Sequence, residues 1–202
     1  GWLRHTAVFG VGGNHFTNDI AVGLRLPFNE AERIKKRYGS ILPEVDNAEV
    51  DVVAIDGQVR GIPRKYITEI LQPRCEELLE IVKEEIQASQ NKGIAVSGVV
   101  LTGGSSLLAG FDRMAEAILS MPVRIGHPYL SQKGFDEGIA GFNAMNGLGG
   151  EFSSPMYATG IGLVLYGIES IMPEKADFSS DLFNRVLNKM TGWFKKIVGS
   201  KR

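Results

Sequence analysis

Cysteine and histidine are scarce in this 202-residue chain: Cys75 is the single cysteine, and His5, His15 and His127 are the only histidines. One cysteine excludes an internal disulfide framework and a thiolate metal cluster, and points to a reducing, cytoplasmic setting. The histidines are scattered with no partner one helical turn away, so no metal site is expected on them. Net charge is also small, 22 Lys+Arg against 23 Asp+Glu. That balance argues against a nucleic-acid partner, which asks for a basic excess or a basic face. No apolar run is long enough to cross a bilayer. The first residues, Gly1-Trp2-Leu3-Arg4-His5, carry neither an initiator Met nor a secretory signal, and read as a segment beginning inside a strand pair. What remains, 44% apolar and 22% charged residues, is ordinary globular composition with enough chain to bury a core.

The charge is unevenly placed. Residues 181–202 hold Arg185, Lys189, Lys195, Lys196, Lys201 and Arg202 against Asp181 alone, a basic end on an acidic body.

Along the chain, residues 2–9 read as a strand from their β-branched and aromatic content. After Gly10-Val11-Gly12-Gly13-Asn14, a short helix is expected with Thr17, Asn18 or Asp19 as its cap. A second helix is expected at 29–38, capped by Asn29, with acids in its first turn, bases later and Gly39 as its stop. Residues 50–56 alternate like a strand, and Asp56-Gly57 signals a hairpin turn into Gln58-Val59-Arg60. Ile67, Ile70, Leu71, Leu78, Leu79, Val82 and Ile86 recur at helical spacing, which predicts a long helix over 66–90 with a kink or break at Pro73 and an end at Gly93. Residues 95–101 predict a strand buried on both faces. A helix over 111–120 and a short strand at 123–126 follow. Residues 127–155 read as a long loop, 156–171 as an apolar helix packed in the core, and 172–180 as a linker.

The strand–glycine–helix unit VVLTGGSSLLAGF carries the chemistry. Glycines there allow close backbone approach, and a following helix N-terminus offers free N–H groups to a phosphate or ribose. No Lys follows the glycines and no G-x-G-x-x-G is present, so a plain tight turn fits the residues equally well.

At the end of the chain, Leu182, Phe183, Val186, Leu187, Met190, Trp193, Phe194, Ile197 and Val198 form one broad apolar stripe at helical spacing. Arg185, Lys189, Lys195 and Lys196 lie off that stripe. Such a helix suits the surface of a membrane with anionic lipids, each basic residue adding roughly 1 kcal/mol. A helix docked on the domain with its lysines solvated is the plainer reading.

LTGGSSLLAGF resembles the adenosine motif of the actin/Hsp70/sugar-kinase ATPases. GGNHFTNDIAVGLRLPFNEAERIKKRYG, ITEILQPRCEELLEIVKEEI, MPVRIGHP and the YATGIGLVLYG helix are similar, in order, to the second lobe of the FtsA family of bacterial cell-division adaptors. The resemblance implies an α/β fold, an actin-like lobe with a ribonuclease-H-like sheet. Subdomain 2A would span 1–22 and 93–171, an inserted subdomain 2B would span 23–92, and an amphipathic membrane-targeting helix would occupy 181–202. It implies ATP with Mg in an intact protein, contacted by Gly103, Gly104, Ser105, Glu32 and Lys35, with Gly12 and Gly13 entering subdomain 2B. On residues alone, Glu32 and Lys35 could equally be a solvated i,i+3 pair.

It further implies that the FtsZ C-terminal tail, acidic and apolar, meets Arg74, Glu77 and Ile70, and that Arg60 serves self-association into actin-like filaments, with other division proteins as further partners. Charged helical runs such as 60–85 are otherwise solvated faces. The implied place is the cytoplasmic face of the cell membrane at the division septum, as a peripheral protein. The family's first phosphate loop and first lobe are not in the sequence, so weak or no ATP binding and no catalysis are expected of this chain alone. Two other readings share the superfamily: half of a sugar or acetate kinase, and a pilus-assembly actin-like protein. Cys75, beside Glu76 and Glu77, is expected to be a small buried residue rather than a reactive thiol.

Overall fold

The computed structural model describes residues 3–42, 48–128 and 153–171. The expected loop over 127–155 falls largely, and the linker 172–180 and amphipathic helix 181–202 wholly, outside them. The chain forms two compact units, Gly1–Gly126 and His127–Arg202.

In the first unit the order is α1 (Gly13–Leu24), α2 (Phe28–Tyr38), β1 (Glu49–Val53), β2 (Val59–Pro63), α3 (Arg64–Asn91), β3 (Val99–Leu101), a 3₁₀ turn (Gly104–Leu107), α4 (Phe111–Leu119) and β4 (Val123–Ile125). Each helix brings one apolar stripe inward. Phe16 and Ile20 on α1, Ile67, Leu71, Cys75 and Leu79 on α3, and Phe111, Ala115 and Leu119 on α4 all step by four, the spacing that keeps side chains on one helical face. These residues meet Ile34 of α2 and Val50 and Val52 of β1 in one core. Phe16 and Phe111 touch edge to face with ring centroids 6.5 Å apart. Fully burying a Leu or Ile stabilises by about 1.5–3 kcal/mol, so this stripe pattern drives the assembly.

β1 and β2 form the expected antiparallel hairpin, with Val52 opposite Arg60 and Val53 opposite Val59. Its turn works as the sequence suggests: Gly57 takes φ +78°, and Asp56 Oδ1 accepts the Gln58 N–H at 3.1 Å. β3 and β4 pair in parallel, Val99 opposite Val123.

Several expectations are corrected. Residues 3–9 form no strand; they are exposed along their length, and among the described residues no neighbouring strand takes up their backbone groups. α1 starts at Gly13, with Gly12 as its cap, because the His15 ring accepts the Gly12 N–H and frees Thr17 and Asp19 for tertiary contacts. α2 is entered through Pro27 rather than Asn29, Pro27 fixing φ at −59° for the first turn, and it ends at Gly39 as expected. Of the kink or break expected at Pro73, the break does not occur: α3 runs 28 residues as one helix, and packing of its Ile67–Leu79 stripe holds it through a residue that cannot donate to the Glu69 carbonyl. β3 is three residues long, not seven, and Val100 is 52% exposed, so it is not covered on both faces.

The second unit has a 3₁₀ turn (Pro155–Tyr157) leading into α5 (Ala158–Ile171). α5 was expected in the core. Ile161 is buried, but Leu163, Val164 and Tyr166 are exposed, so its apolar character does not reflect burial on all sides.

Candidate functional site

Three segments far apart in sequence meet at the start of α1. Lys35, on the inner face of α2, reaches Gly13 O at 3.0 Å, Thr17 Oγ1 at 2.7 Å and Glu32 Oε2 at 2.7 Å. An ammonium has three N–H groups, and each finds an acceptor here. Lys35 is 8% exposed, its stem packed beneath α1. The Thr17 hydroxyl donates onward to Glu32, and Lys36 closes on the other Glu32 oxygen at 3.1 Å. Burial would raise the Glu32 pKa from its ordinary 4.5, but hydrogen bonds from Lys35, Thr17 and Lys36 outweigh burial and hold the carboxyl at about 2.

The glycine loop comes to the same place. A Cβ on Gly13 would lie 2.8 Å from Ser105 Oγ and 3.8 Å from Lys35 Nζ, so a larger residue at 13 would press Ser105 aside. Gly103 takes φ +90° and ψ 169°, a backbone region open in practice to glycine alone. Ser106 Oγ donates to the Gly103 carbonyl at 2.7 Å and fixes the turn in which Gly104 and Ser105 sit. Gly12 is extended with open space beside it, so neither conformation nor room demands glycine there. Of the residues singled out for nucleotide, Glu32, Lys35, Gly13 and Ser105 are thus brought together, with Gly103 and Gly104 on the same turn.

The second cluster lies where α1 packs on α3. Arg74 holds Asp19 side-on, Nε to Oδ2 at 2.6 Å and Nη2 to Oδ1 at 3.2 Å, and its Nη1 donates to Glu77. Hydrogen bonding to Asp19 raises the already high Arg74 pKa further. Ile70 is half-buried rather than offered to solvent: a Cβ on Gly23 would sit 2.8 Å from its Cδ1. Arg60 is elsewhere, on the outer face of β2, paired with Asp56 across the hairpin turn. Cys75 is fully buried, and desolvation with the Glu76 charge pushes its thiol up to about 12, which makes it an unreactive core residue.

The sequence marks Thr17 and Asp19 only as candidate helix caps. Once α1 begins at Gly13, Thr17 falls one turn along on the same face. That spacing could have marked it; nothing in the sequence marks Asp19 as the partner of Arg74, 55 residues away.

Comparison with known proteins decides the family. The profile described as "Cell division protein FtsA" matches residues 1–162. The chain belongs to the FtsA family. It is 35% identical over 190 residues to the cell division protein FtsA of Pseudomonas aeruginosa, covering 90% of this chain and 42% of that protein. It is 32% identical over 207 residues to the FtsA of Escherichia coli, covering 98% of this chain and 45% of that one. The chain therefore spans less than half the length of these curated relatives. As a member of this family it has an α/β, actin-like fold and is a cell-division protein, which sets aside the kinase-half and pilus-assembly readings. Among solved structures it is similar to MreB5 of Spiroplasma citri bound to ADP, with a TM-score of 0.49 and 23% identity over 58% of this chain and 40% of that one. The form of that protein bound to AMPPNP gives a TM-score of 0.48 and 21% identity, covering 58% of this chain and 39% of that one. At these scores the likeness adds nothing to the family assignment.

Proposed function

We propose that this FtsA-family chain belongs to an adaptor that ties FtsZ filaments to the cytoplasmic face of the membrane at the division septum, as a scaffold rather than a catalyst. The observation that carries the reading is Arg74: a guanidinium in a family member, a quarter exposed between α1 and α3, with two of its five N–H groups not taken by Asp19 or Glu77. A planar fork of this kind suits the carboxylates of an acidic tail peptide. Ile70 contributes through its packing on Gly23 and shapes the ground beneath Arg74 rather than the contact itself. Residues 181–202 supply the lipid contact in this reading, through Trp193, Phe194 and their flanking lysines, and Arg60 serves contact between protomers.

ATP has its place at the Lys35 centre. Gly103 and Gly13 give the backbone approach, Ser105 a hydroxyl, and Glu32 and Lys35 the polar walls. The donor set fits a nucleotide edge. Among the described residues no three His, Cys, Asp or Glu side chains gather as a metal site, so Mg in this reading arrives with the phosphates. Lys35 and Glu32 already satisfy one another, so binding exchanges existing hydrogen bonds for new ones and gains little net energy.

The test is fluorescence anisotropy of a labelled FtsZ C-terminal peptide against this chain and against Arg74→Glu, both confirmed folded by circular dichroism. Saturable binding that the variant loses supports the adaptor reading. A folded parent chain that leaves the anisotropy flat at all concentrations, and stays flat when the Asp19 carboxylate on Arg74 is neutralised, defeats it.

A further inference from the structure

We propose that Asp19 is an internal acidic occupant of Arg74, a carboxylate carried by α1 on the guanidinium edge that an acidic peptide would otherwise take, and that it thereby limits how tightly this face binds. The inference rests on the reading of Arg74 as the ligand-facing cation given above.

The side-on edge of an arginine, Nε with one terminal nitrogen, is one of its two bidentate faces for a carboxylate. Asp19 holds that face through both oxygens, at 2.6 and 3.2 Å. Its position is set by packing and not by chance reach. Gly23 lies one turn beyond Asp19 on α1, and Ile70 lies one turn before Arg74 on α3; the two pack together, a Cβ at 23 coming 2.8 Å from Ile70 Cδ1, and this contact brings the two helices close beside the Asp19–Arg74 pair. Asp19 and Arg74 side chains are 23% and 27% exposed, which leaves the pair within reach of solvent and of a competing anion.

Glu77 differs. It sits three residues along the same helix with its side chain 52% exposed, so it can swing into water without moving the backbone. An arriving carboxylate displaces Glu77 easily but meets the Asp19 charge beside the same guanidinium. The immediate charge balance is one cation to two anions, unfavourable for an acidic ligand until one of the two is removed. Removing the Asp19 charge opens the side-on face and lifts the repulsion together.

The experiment compares the labelled FtsZ tail peptide on the parent chain, Asp19→Asn, Arg74→Glu and the double variant. A second peptide with its carboxylates converted to amides serves as control. Asp19→Asn is expected to tighten the acidic peptide by roughly fivefold or more. The gain should vanish in the double variant and be absent for the amidated peptide, since a purely structural role would not sense peptide charge. Asp19→Ser, also neutral and smaller, takes its place should Asp19→Asn lose helical circular dichroism. Arg74-dependent binding by the parent that a folded Asp19 variant leaves unchanged or weakens overturns this inference and leaves the adaptor reading standing. Absence of Arg74-dependent binding in the parent and in both Asp19 variants overturns both. Binding that emerges only once Asp19 is neutralised supports both.

Discussion

Lys35 on α2 and Arg74 on α3 are each a cation paired with a glutamate three residues away, and each also reaches a residue of α1. The Lys35 group is buried, with all three ammonium hydrogens engaged and its glutamate held at about 2. The Arg74 group stands a quarter exposed, with three of five N–H groups engaged among the described residues and a glutamate half in water. On a helix surface such i,i+3 pairs contribute a few tenths of a kcal/mol. What separates them is the side of α1 they meet: Thr17 and the Gly13 carbonyl face the core, while Asp19 lies at the rim. Burial turns the same sequence spacing into a fully satisfied cluster that is costly to open in one case and a more readily exchanged contact in the other.

Breaking the buried member should have the largest effect. Lys35→Met keeps an apolar stem beneath α1 but takes the donor from the Gly13 carbonyl and the Thr17 hydroxyl, and leaves Glu32 with Thr17 and Lys36 alone. A loss of about 3 kcal/mol is expected in urea unfolding. A loss below about 1 kcal/mol would mean that water reaches this centre freely, and the contrast with Arg74 would fail.

Acid sharpens the comparison next. The Glu32 carboxyl is held at about 2 in the folded chain against an ordinary 4.5. A depressed carboxylate contributes stability in full above the unfolded value and loses it as pH falls from about 4.5 through about 2. Because the side chain is 28% exposed, solvent screening reduces the effect, and about 2 kcal/mol is expected to disappear over that window. Glu30 acts in the same direction, lowered chiefly by its hydrogen bond from Arg33. Unfolding series at pH 5, 4, 3 and 2.5 would follow the decline, and Lys35→Met should make it shallower, Thr17 and Lys36 still holding Glu32; an equal decline in that variant would assign the loss elsewhere.

The smallest effect is expected at the rim. Arg74→Ala should cost no more than about 1 kcal/mol of stability by the same urea method, despite removing two ion pairs, because both partners return to water. A cost matching that of Lys35→Met would place Arg74 in a cluster as costly to open as that of Lys35, and the contrast between the two would fail.

Much of the secondary structure was legible. The four-residue steps Ile67–Leu71–Cys75–Leu79 mark the buried face of α3, and Asp56-Gly57 marks the hairpin, because side-chain period and turn chemistry are local properties. The strand expected at 2–9 was not realised, since β propensity is satisfied only when a neighbouring strand supplies backbone partners. Of the kink or break expected at Pro73, the break likewise yielded to packing. Of the site, the glycine loop and the Glu32–Lys35 spacing could be read beforehand. Thr17 as the acceptor beneath Lys35 is not legible from a helix capped at 17–19; it follows only from the start of α1 at Gly13.

By itself, the sequence determined the elements and the family: periodicity wrote the helices, glycines the turns, and the ordered motifs over residues 1–162 the kinship with FtsA. Only the tertiary structure decided which charges are held in a buried cluster and which lie at the exposed rim. Pair strength depends on desolvation and on partners tens of residues away, and α1 alone brings Gly13 and Thr17 to Lys35, and Asp19 to Arg74.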